Sequence, residues 1–138
     1  MPLFEQGRNK FGLMEAHFGL GVVRRAQGQY EQAEMHYRES LALAQETDFI
    51  WRIAACLAGL GGLARDCERL EPAARLLGAA GAIRMAFDAP PQLFNPISLE
   101  VEVTALRTQL DAATFARVWA EGQVMTLDQA IGYALKAP

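Results

Sequence analysis

Gly19-Leu20-Gly21 and Gly59-Leu60-Gly61 are two copies of one tripeptide, spaced forty residues apart, and they decide the fold. The similarity continues in register on both sides of the tripeptide. The aligned pairs are Phe11 with Trp51, Arg25 with Arg65, Glu31 with Glu71, Ala33 with Ala73 and Ala42 with Ala82. A repeat period of roughly 20–50 residues predicts a solenoid, in which each unit buries one face against its neighbour.

The composition is that of a globular protein, with 51% hydrophobic and 21% charged residues in 138. No apolar run reaches the roughly 18 residues of a spanning helix, and the N-terminus lacks the basic start of a signal peptide. We therefore expect a cytoplasmic protein that contacts no membrane. The net charge is −3 and the basic residues are scattered, so we also expect no direct contact with nucleic acid.

Apolar residues recur at helical spacing along the chain. A first helix is predicted over about 11–27 and is ended by Gly28; a second runs from Tyr30 to about Glu46. Asp48 is the expected N-cap of a third helix, and a fourth continues through Ile83. The pattern predicts an all-α fold of about seven helices, arranged as a right-handed superhelix of antiparallel pairs.

The C-terminal part carries several helix-start signals. Asn95 before Pro96 predicts the start of a helix that ends near Leu110. Asp111 is the expected N-cap of the next helix, and Thr126 with Gln129 predicts a capping box for the last. We therefore expect one domain over 1–138. Its parts are repeat 1 at 11–47, repeat 2 at 48–88, a loop at 89–96 and degenerate capping helices at 97–138.

The first repeat resembles a tetratricopeptide repeat. The matching residues are Leu20, Gly21, Gly28, Tyr30, Ala33 and Tyr37. The second unit matches at Leu60, Gly61, Ala73 and Ala80; it has Leu70 and Leu77 in place of the aromatics and Glu68 in place of the turn glycine. The period of forty exceeds the family's usual 34, which implies longer helices or turns.

The tail, residues 111–135, and the stretch 73–80 are similar to the C-terminal part of large bacterial signal-transduction ATPases, including LuxR-type regulators. This resemblance implies a regulatory lineage, with the ATPase and output domains outside the region. Residues 2–7 resemble the end of a preceding repeat's second helix. They predict that the chain is either a piece of a longer repeat array or a short descendant of such an array. In the second case the C-terminal helices serve as the cap.

No pattern of catalytic or metal-binding residues stands out. Gly59 to Ala64 fits the dinucleotide fingerprint G-x-G-x-x-A, but it falls inside a predicted helix and not after a strand. His17 and His36 each lack a second ligand four residues later, and no pair of cysteines lies near either. Cys56 and Cys67 are too far apart on one helix for a disulfide, so free thiols are expected. We therefore expect no enzyme, cofactor or metal.

The tetratricopeptide resemblance implies a concave groove built from the first helix of each pair. The positions expected to be exposed there are Glu15, Phe18, Val22, Arg25, Ala55, Ala58, Gly62 and Arg65. Arg25 and Arg65 lie one repeat apart and are expected to point the same way, which suits binding of a carboxylate. The alternative is that both are ordinary solvated arginines.

The leading hypothesis is a non-enzymatic interaction module, the C-terminal helical-repeat sensor or scaffold part of a bacterial transcriptional regulator. It would bind a protein or peptide partner, or self-associate as a homodimer, and pass that state to an output domain. One alternative is a structural dimerisation or spacer domain. Another is a small-molecule effector pocket near the Asp88–Pro96 loop.

Overall fold

A computed structural model describes residues 3–87 and 99–136, with side chains from residue 9 onward. These two ranges form seven α-helices and no strand, which confirms the all-α fold. The helices are α1 (Leu3–Ala26), α2 (Tyr30–Glu46), α3 (Ile50–Asp66), α4 (Leu70–Ala86), α5 (Leu99–Arg107), α6 (Ala112–Gln123) and α7 (Leu127–Lys136). The right-handed superhelical path stays a prediction.

The turns after α1, α2 and α3 share one geometry, repeated every twenty residues. Each turn contains one residue with positive φ: Gly28 (76°), Asp48 (54°) and Glu68 (61°). The residue that follows donates its N–H to a carbonyl five positions earlier: Gln29 to Arg24 (2.9 Å), Phe49 to Ala44 (2.9 Å) and Arg69 to Ala64 (2.8 Å). This is the helix end that glycine favours, so the expected role of Gly28 is confirmed.

The expectation that Asp48 caps α3 is wrong. The N-cap position belongs to Phe49, which makes no side-chain cap hydrogen bond. Asp48 instead adopts the left-handed conformation that ends α2, and Asp tolerates that conformation better than most residues. Asp48 therefore belongs to the turn that ends α2, and it does not begin α3 as the sequence had suggested.

The last glycine of each tripeptide, Gly21 or Gly61, marks a close helix contact. A Cβ on Gly21 would lie 2.8 Å from the Tyr37 ring, and a Cβ on Gly61 would lie 2.9 Å from Cγ of Leu77. Tyr37 and Leu77 are themselves forty residues apart, so both helix pairs close in the same way. The repeated tripeptide therefore corresponds to the same packing contact in both helix pairs.

Two of the three helix starts expected in the C-terminal part are confirmed, those at Asp111 and at Thr126. The Asp111 carboxylate accepts a hydrogen bond from the Thr114 N–H at 2.9 Å. Thr126 and Gln129 bond reciprocally, with the Gln129 N–H donating to Thr126 Oγ1 at 3.1 Å and the Thr126 N–H donating to Gln129 Oε1 at 2.9 Å. These bonds satisfy backbone donors that the first turn of a helix leaves free.

Helix α6 packs on α4 through glycines. A Cβ on Gly78 would lie 2.5 Å from the carbonyl oxygen of Trp119, and one on Gly81 would lie 3.4 Å from its indole ring. Phe115 and Trp119 stack with ring centroids 5.5 Å apart, and Phe115 is buried in the core. The terminal helices are thereby joined to the second repeat.

Some helix boundaries differ from the expected ones. Helix α1 begins at Leu3, so residues 3–7 continue it and do not form the end of a separate preceding helix. Helix α5 ends at Arg107, before the expected Leu110, and 101–104 is helical as predicted. The expected Asn95–Pro96 helix start and the 89–96 loop lie outside the described residues. Along the described ranges, no helix is long and apolar enough to cross a membrane.

Candidate functional site

Arg25 and Arg65 lie at equivalent positions of the two repeats, near the ends of α1 and α3. Both guanidinium groups contact one carboxylate, that of Glu102 on α5. Asp66, the last residue of α3, completes the group. We call these four side chains the ion cluster.

Arg25 is the most highly connected member of the ion cluster. Its Nε donates to Asp66 Oδ2 at 2.6 Å, and its Nη1 donates to Glu102 Oε2 at 2.5 Å. Nη2 reaches Glu102 Oε1 at 3.1 Å and Asp66 Oδ1 at 3.3 Å. Arg65 adds one bond, from Nη2 to Glu102 Oε1 at 3.2 Å, and lies 3.6 Å from Asp66 Oδ1. Such two-pronged bonds are the strong form of arginine–carboxylate pairing.

The ion cluster is largely shielded from water. The Glu102 side chain is 8% exposed, while those of Arg25 and Asp66 are 18% and 17% exposed. Its charges balance, with two arginines and two carboxylates. A buried ion that loses its partner is strongly destabilising, so the four side chains depend on one another.

Hydrogen bonding outweighs burial at Arg25. Burial by itself lowers the pKa of the guanidinium, but hydrogen bonds to Glu102 and Asp66, together with their negative charges, raise that pKa above its ordinary value. The Arg25 cation is therefore permanent. Its N–H groups can therefore donate to any acceptor that takes the place of the Glu102 or Asp66 carboxylate.

Gly62 forms the floor of the ion cluster. A Cβ at Gly62 would lie 2.6 Å from Nη1 of Arg25 and 2.8 Å from Cδ of Glu102. Neither group could hold its place against a methyl at that distance. The absence of a side chain on α3 is thus what lets Arg25 of α1 meet Glu102 of α5.

The structure places the expected groove residues in several environments. Phe18, Ala58 and Gly62 are buried, as is Ala55, so the expectation that these four are exposed is wrong. Val22 is half-buried and packs against the core. Phe18 lies under Arg52, whose guanidinium carbon is 4.2 Å from the ring centroid. These side chains support helix packing from positions that the resemblance assigned to an open surface.

Glu15 also has an internal partner. Its carboxylate forms an ion pair with Arg52 of α3, at 2.8 Å, and it is half-buried. Arg25 and Arg65 are likewise half-buried. The structure therefore brings Arg25 and Arg65 together in the ion cluster, next to Gly62, while Glu15, Phe18 and Val22 lie elsewhere on α1. The role of all eight expected groove positions in partner binding stays a prediction.

Sequence reasoning missed Glu102 and its place in the ion cluster. One signal for it was present: Glu102 lies between the buried Leu99 and Leu106 at spacings of three and four residues. A carboxylate on the apolar face of a helix requires a charged partner. Which partner it meets follows only from tertiary packing.

Two histidines also meet unexpectedly, on α1 and α2. Nδ1 of His17 lies 3.0 Å from Nδ1 of His36, and the ring centroids are 5.2 Å apart. Burial, and then the charges of His17 and Arg24, lower the pKa of His36. The facing nitrogens suit one shared proton. In the part of the chain that is described, no three His, Cys, Asp or Glu side chains form a metal-binding group.

The two cysteines are free, as expected. Cys56 is fully buried, and its Sγ lies 3.4 Å from Oγ of Ser40. Burial raises the pKa of the Cys56 thiol to about 12. At neutral pH this thiol is protonated and therefore a poor nucleophile.

Comparison with known proteins identifies relatives among mycobacterial regulators. Two proteins of Mycobacterium tuberculosis and one of Mycobacterium bovis, provisionally named HTH-type transcriptional regulators, are each 32% identical to this chain over 112 residues. The match covers 81% of this chain but only 13% of each relative. No protein-family model matches the chain, and no solved structure matches it.

This similarity corrects one expectation. The expected lack of direct contact with nucleic acid is wrong, because the relatives are named HTH-type regulators and a helix-turn-helix places a helix in the DNA major groove. The match spans only 13% of each relative, so the charge pattern of these 138 residues carries no information on how the relatives contact DNA. The chain is thus similar to one part of proteins that are named as transcriptional regulators.

Proposed function

We propose that the chain is a non-enzymatic, helical-repeat interaction module of a bacterial transcriptional regulator. Two observations support this. The chain is similar to part of longer proteins named as such regulators. Arginines at equivalent positions of its two repeats converge on one carboxylate. The second observation carries the proposal, because two arginines that bind one carboxylate indicate that the ligand of the repeats is a carboxylate.

The ligand of this module is an acidic segment of a protein or peptide. In the structure, Glu102 of α5 occupies the place that such a ligand would take. An incoming carboxylate would exchange with Glu102 and break the contacts of α5 with Arg25 and Arg65. Nε of Arg65 is buried and has no hydrogen-bond partner among the described side chains, so the ion cluster also retains an unused donor.

Displacement of α5 would convey partner binding to the rest of the regulator. The ion cluster joins α1, α3 and α5, whereas α6 packs separately on α4. Loss of this carboxylate contact would therefore let α5 shift relative to α1 and α3, while the buried Leu99 and Leu106 and the ion pair of Glu100 with Arg84 keep it on the core. In the whole regulator, this change would alter the activity of the part that binds DNA.

A binding experiment on the full chain tests this proposal. The probe is a labelled peptide with the sequence of residues 97–110, and the matched control peptide has glutamine in place of Glu102. We expect the native peptide to bind the Glu102→Gln chain, in which the internal carboxylate is neutralised, more tightly than it binds the unaltered chain. The control peptide should bind neither. The chain carrying Glu100→Gln, an exposed position on the same helix, serves as the second control.

Equal binding of both peptides to the Glu102→Gln chain would contradict the carboxylate-exchange proposal, as would no binding of either. A reporter gene under the complete regulator provides the second measurement. Glu102→Gln should change its regulated output, and Glu100→Gln should not.

A further inference from the structure

Helix α1 carries an apolar stripe on the side away from α2. Leu13, Leu20 and Val23 are 52%, 39% and 49% exposed, and Ala16 between them is also exposed. Around Gly19, in the same stretch, the space where a Cβ would lie is open. We call Leu13, Ala16, Leu20 and Val23 the α1 stripe. It lies apart from the ion cluster.

The same four positions of the second repeat are buried. Forty residues on, the counterparts on α3 are Ile53 (1% exposed), Cys56 (0%), Leu60 (6%) and Leu63 (2%). The side-chain sizes match in order, with a branched residue, a small residue, a leucine and a second branched residue in both helices. Gly19 likewise corresponds to Gly59, which is buried. The α1 stripe therefore has the composition of a helix-packing surface.

Helix α2 covers the α3 counterpart of the stripe. Oγ of Ser40 lies 3.4 Å from Sγ of Cys56, the residue equivalent to Ala16. Glu34 and Arg38 of α2 line one cleft together with Leu60 and Leu63, so side chains of α2 lie beside both leucines of the α3 counterpart.

We propose that the α1 stripe is the docking surface for one amphipathic helix of the α2 type, supplied by an adjoining helical-repeat unit. Packing inside the chain supports this proposal, because the residues of the α1 stripe match in size the residues of α3 that pack against α2. The partner helix requires a small residue opposite Ala16, as Ser40 is opposite Cys56. Apolar residues must flank that small residue.

A second copy of this chain is a poorer occupant. Its α2 face is already covered by α3, so it could offer only its own α1 stripe. Contact between two such stripes would rest on a few partly exposed side chains, whereas a stable dimer buries roughly 800 Å² on each partner. A helix from a neighbouring unit of the same polypeptide avoids that limit, because tethering raises its effective concentration.

The test uses the full chain labelled with ¹⁵N and, as probe, a peptide with the sequence of residues 28–49, which spans α2 and its turns. We expect saturable shifts of the backbone amides of Leu13, Ala16, Leu20 and Val23. Leu20→Glu or Leu13→Glu in the chain should abolish these shifts. Ser40→Glu in the peptide should abolish them as well, because it places a charge opposite Ala16.

Met85→Glu is the matched control, since Met85 is an exposed apolar residue (79%) on α4. It should leave peptide binding unchanged. Circular dichroism confirms that each variant is folded. The proposal is overturned if excess peptide leaves the α1 amides unshifted or if both α1 variants still bind. It is also overturned if the α1 amides shift with chain concentration alone, which would make a second copy the occupant. None of these outcomes bears on carboxylate exchange at Glu102.

Discussion

Arg25 of α1 and Glu102 of α5 are separated by 77 residues in sequence, yet Nη1 of the arginine donates to Oε2 of the glutamate at 2.5 Å. This bond links the first repeat to the helix that follows the second repeat. It passes over Gly62, whose lack of a side chain makes room for it. The ion cluster is therefore a contact among α1, α3 and α5.

The first prediction concerns Glu102→Ala. The substitution leaves two half-buried arginines with Asp66 as their remaining partner in the ion cluster, and we expect it to lower the free energy of unfolding by about 3 kcal/mol. Glu100→Ala on the same helix should cost less than about 1 kcal/mol, because its ion pair with Arg84 is at the surface. Urea denaturation measures both values.

Propionate provides a chemical check on the same prediction. It should restore part of the lost stability of Glu102→Ala, relative to chloride at equal ionic strength, because its carboxylate can enter the vacated site. The stability of the unaltered chain should not respond. A similar loss for both alanine variants would show that the ion cluster contributes no more than a surface ion pair.

The second prediction is a pH dependence that arises from the histidine pair. The pKa of His36 is lowered in the folded chain, so the unfolded chain binds the proton first as the pH falls. Stability should be fully present above the unfolded pKa of about 6.5 and should decline as the pH falls through the lower folded value. Arg24 strengthens this effect and Glu39 opposes it.

Thermal unfolding at pH 7.5 and 5.5 measures that dependence. The difference in Tm between the two pH values should be smaller for His36→Asn than for the unaltered chain. An unchanged difference would assign the acid sensitivity to other groups.

The third prediction compares two glycines in helices. Gly78→Ala should destabilise the chain by about 1–3 kcal/mol, because the new methyl would lie 2.5 Å from the Trp119 carbonyl oxygen, and backbone cannot move aside. Gly132→Ala in α7 meets nothing within 4 Å and should stabilise by about 0.5–1 kcal/mol. Chemical denaturation of the pair gives the comparison, and a stabilising Gly78→Ala would contradict the observed packing of α6 on α4.

The fourth prediction concerns the turn after α3. Glu68 has a φ of 61°, which costs a residue with a side chain roughly 1–2 kcal/mol. Glu68→Gly should therefore raise the free energy of unfolding by about 1 kcal/mol. Asp48→Gly should raise it less, since Asp tolerates this conformation better. An increase in Tm for Glu68→Gly larger than that for Asp48→Gly is the expected result.

Several features could be predicted because their causes are local in sequence. Asp111 and Thr126 bond to backbone groups three residues away, so their capping follows from short motifs. Gly28 ends α1 because glycine tolerates positive φ. Asp48 was misassigned because one residue suits both a helix start and a left-handed helix end, and only the folded turn distinguishes them.

The sequence by itself determined the all-α class and the forty-residue repeat. Both follow from the spacing of apolar and small residues along the chain. Only the tertiary structure decided that Arg25 and Arg65 share the carboxylate of Glu102, and that Phe18, Ala58 and Gly62 are covered. The physical reason is that burial and ion pairing depend on which helices pack together in the folded chain, as Arg52 of α3 does on Phe18 and α5 does on α3. No local preference encodes a contact across 77 residues.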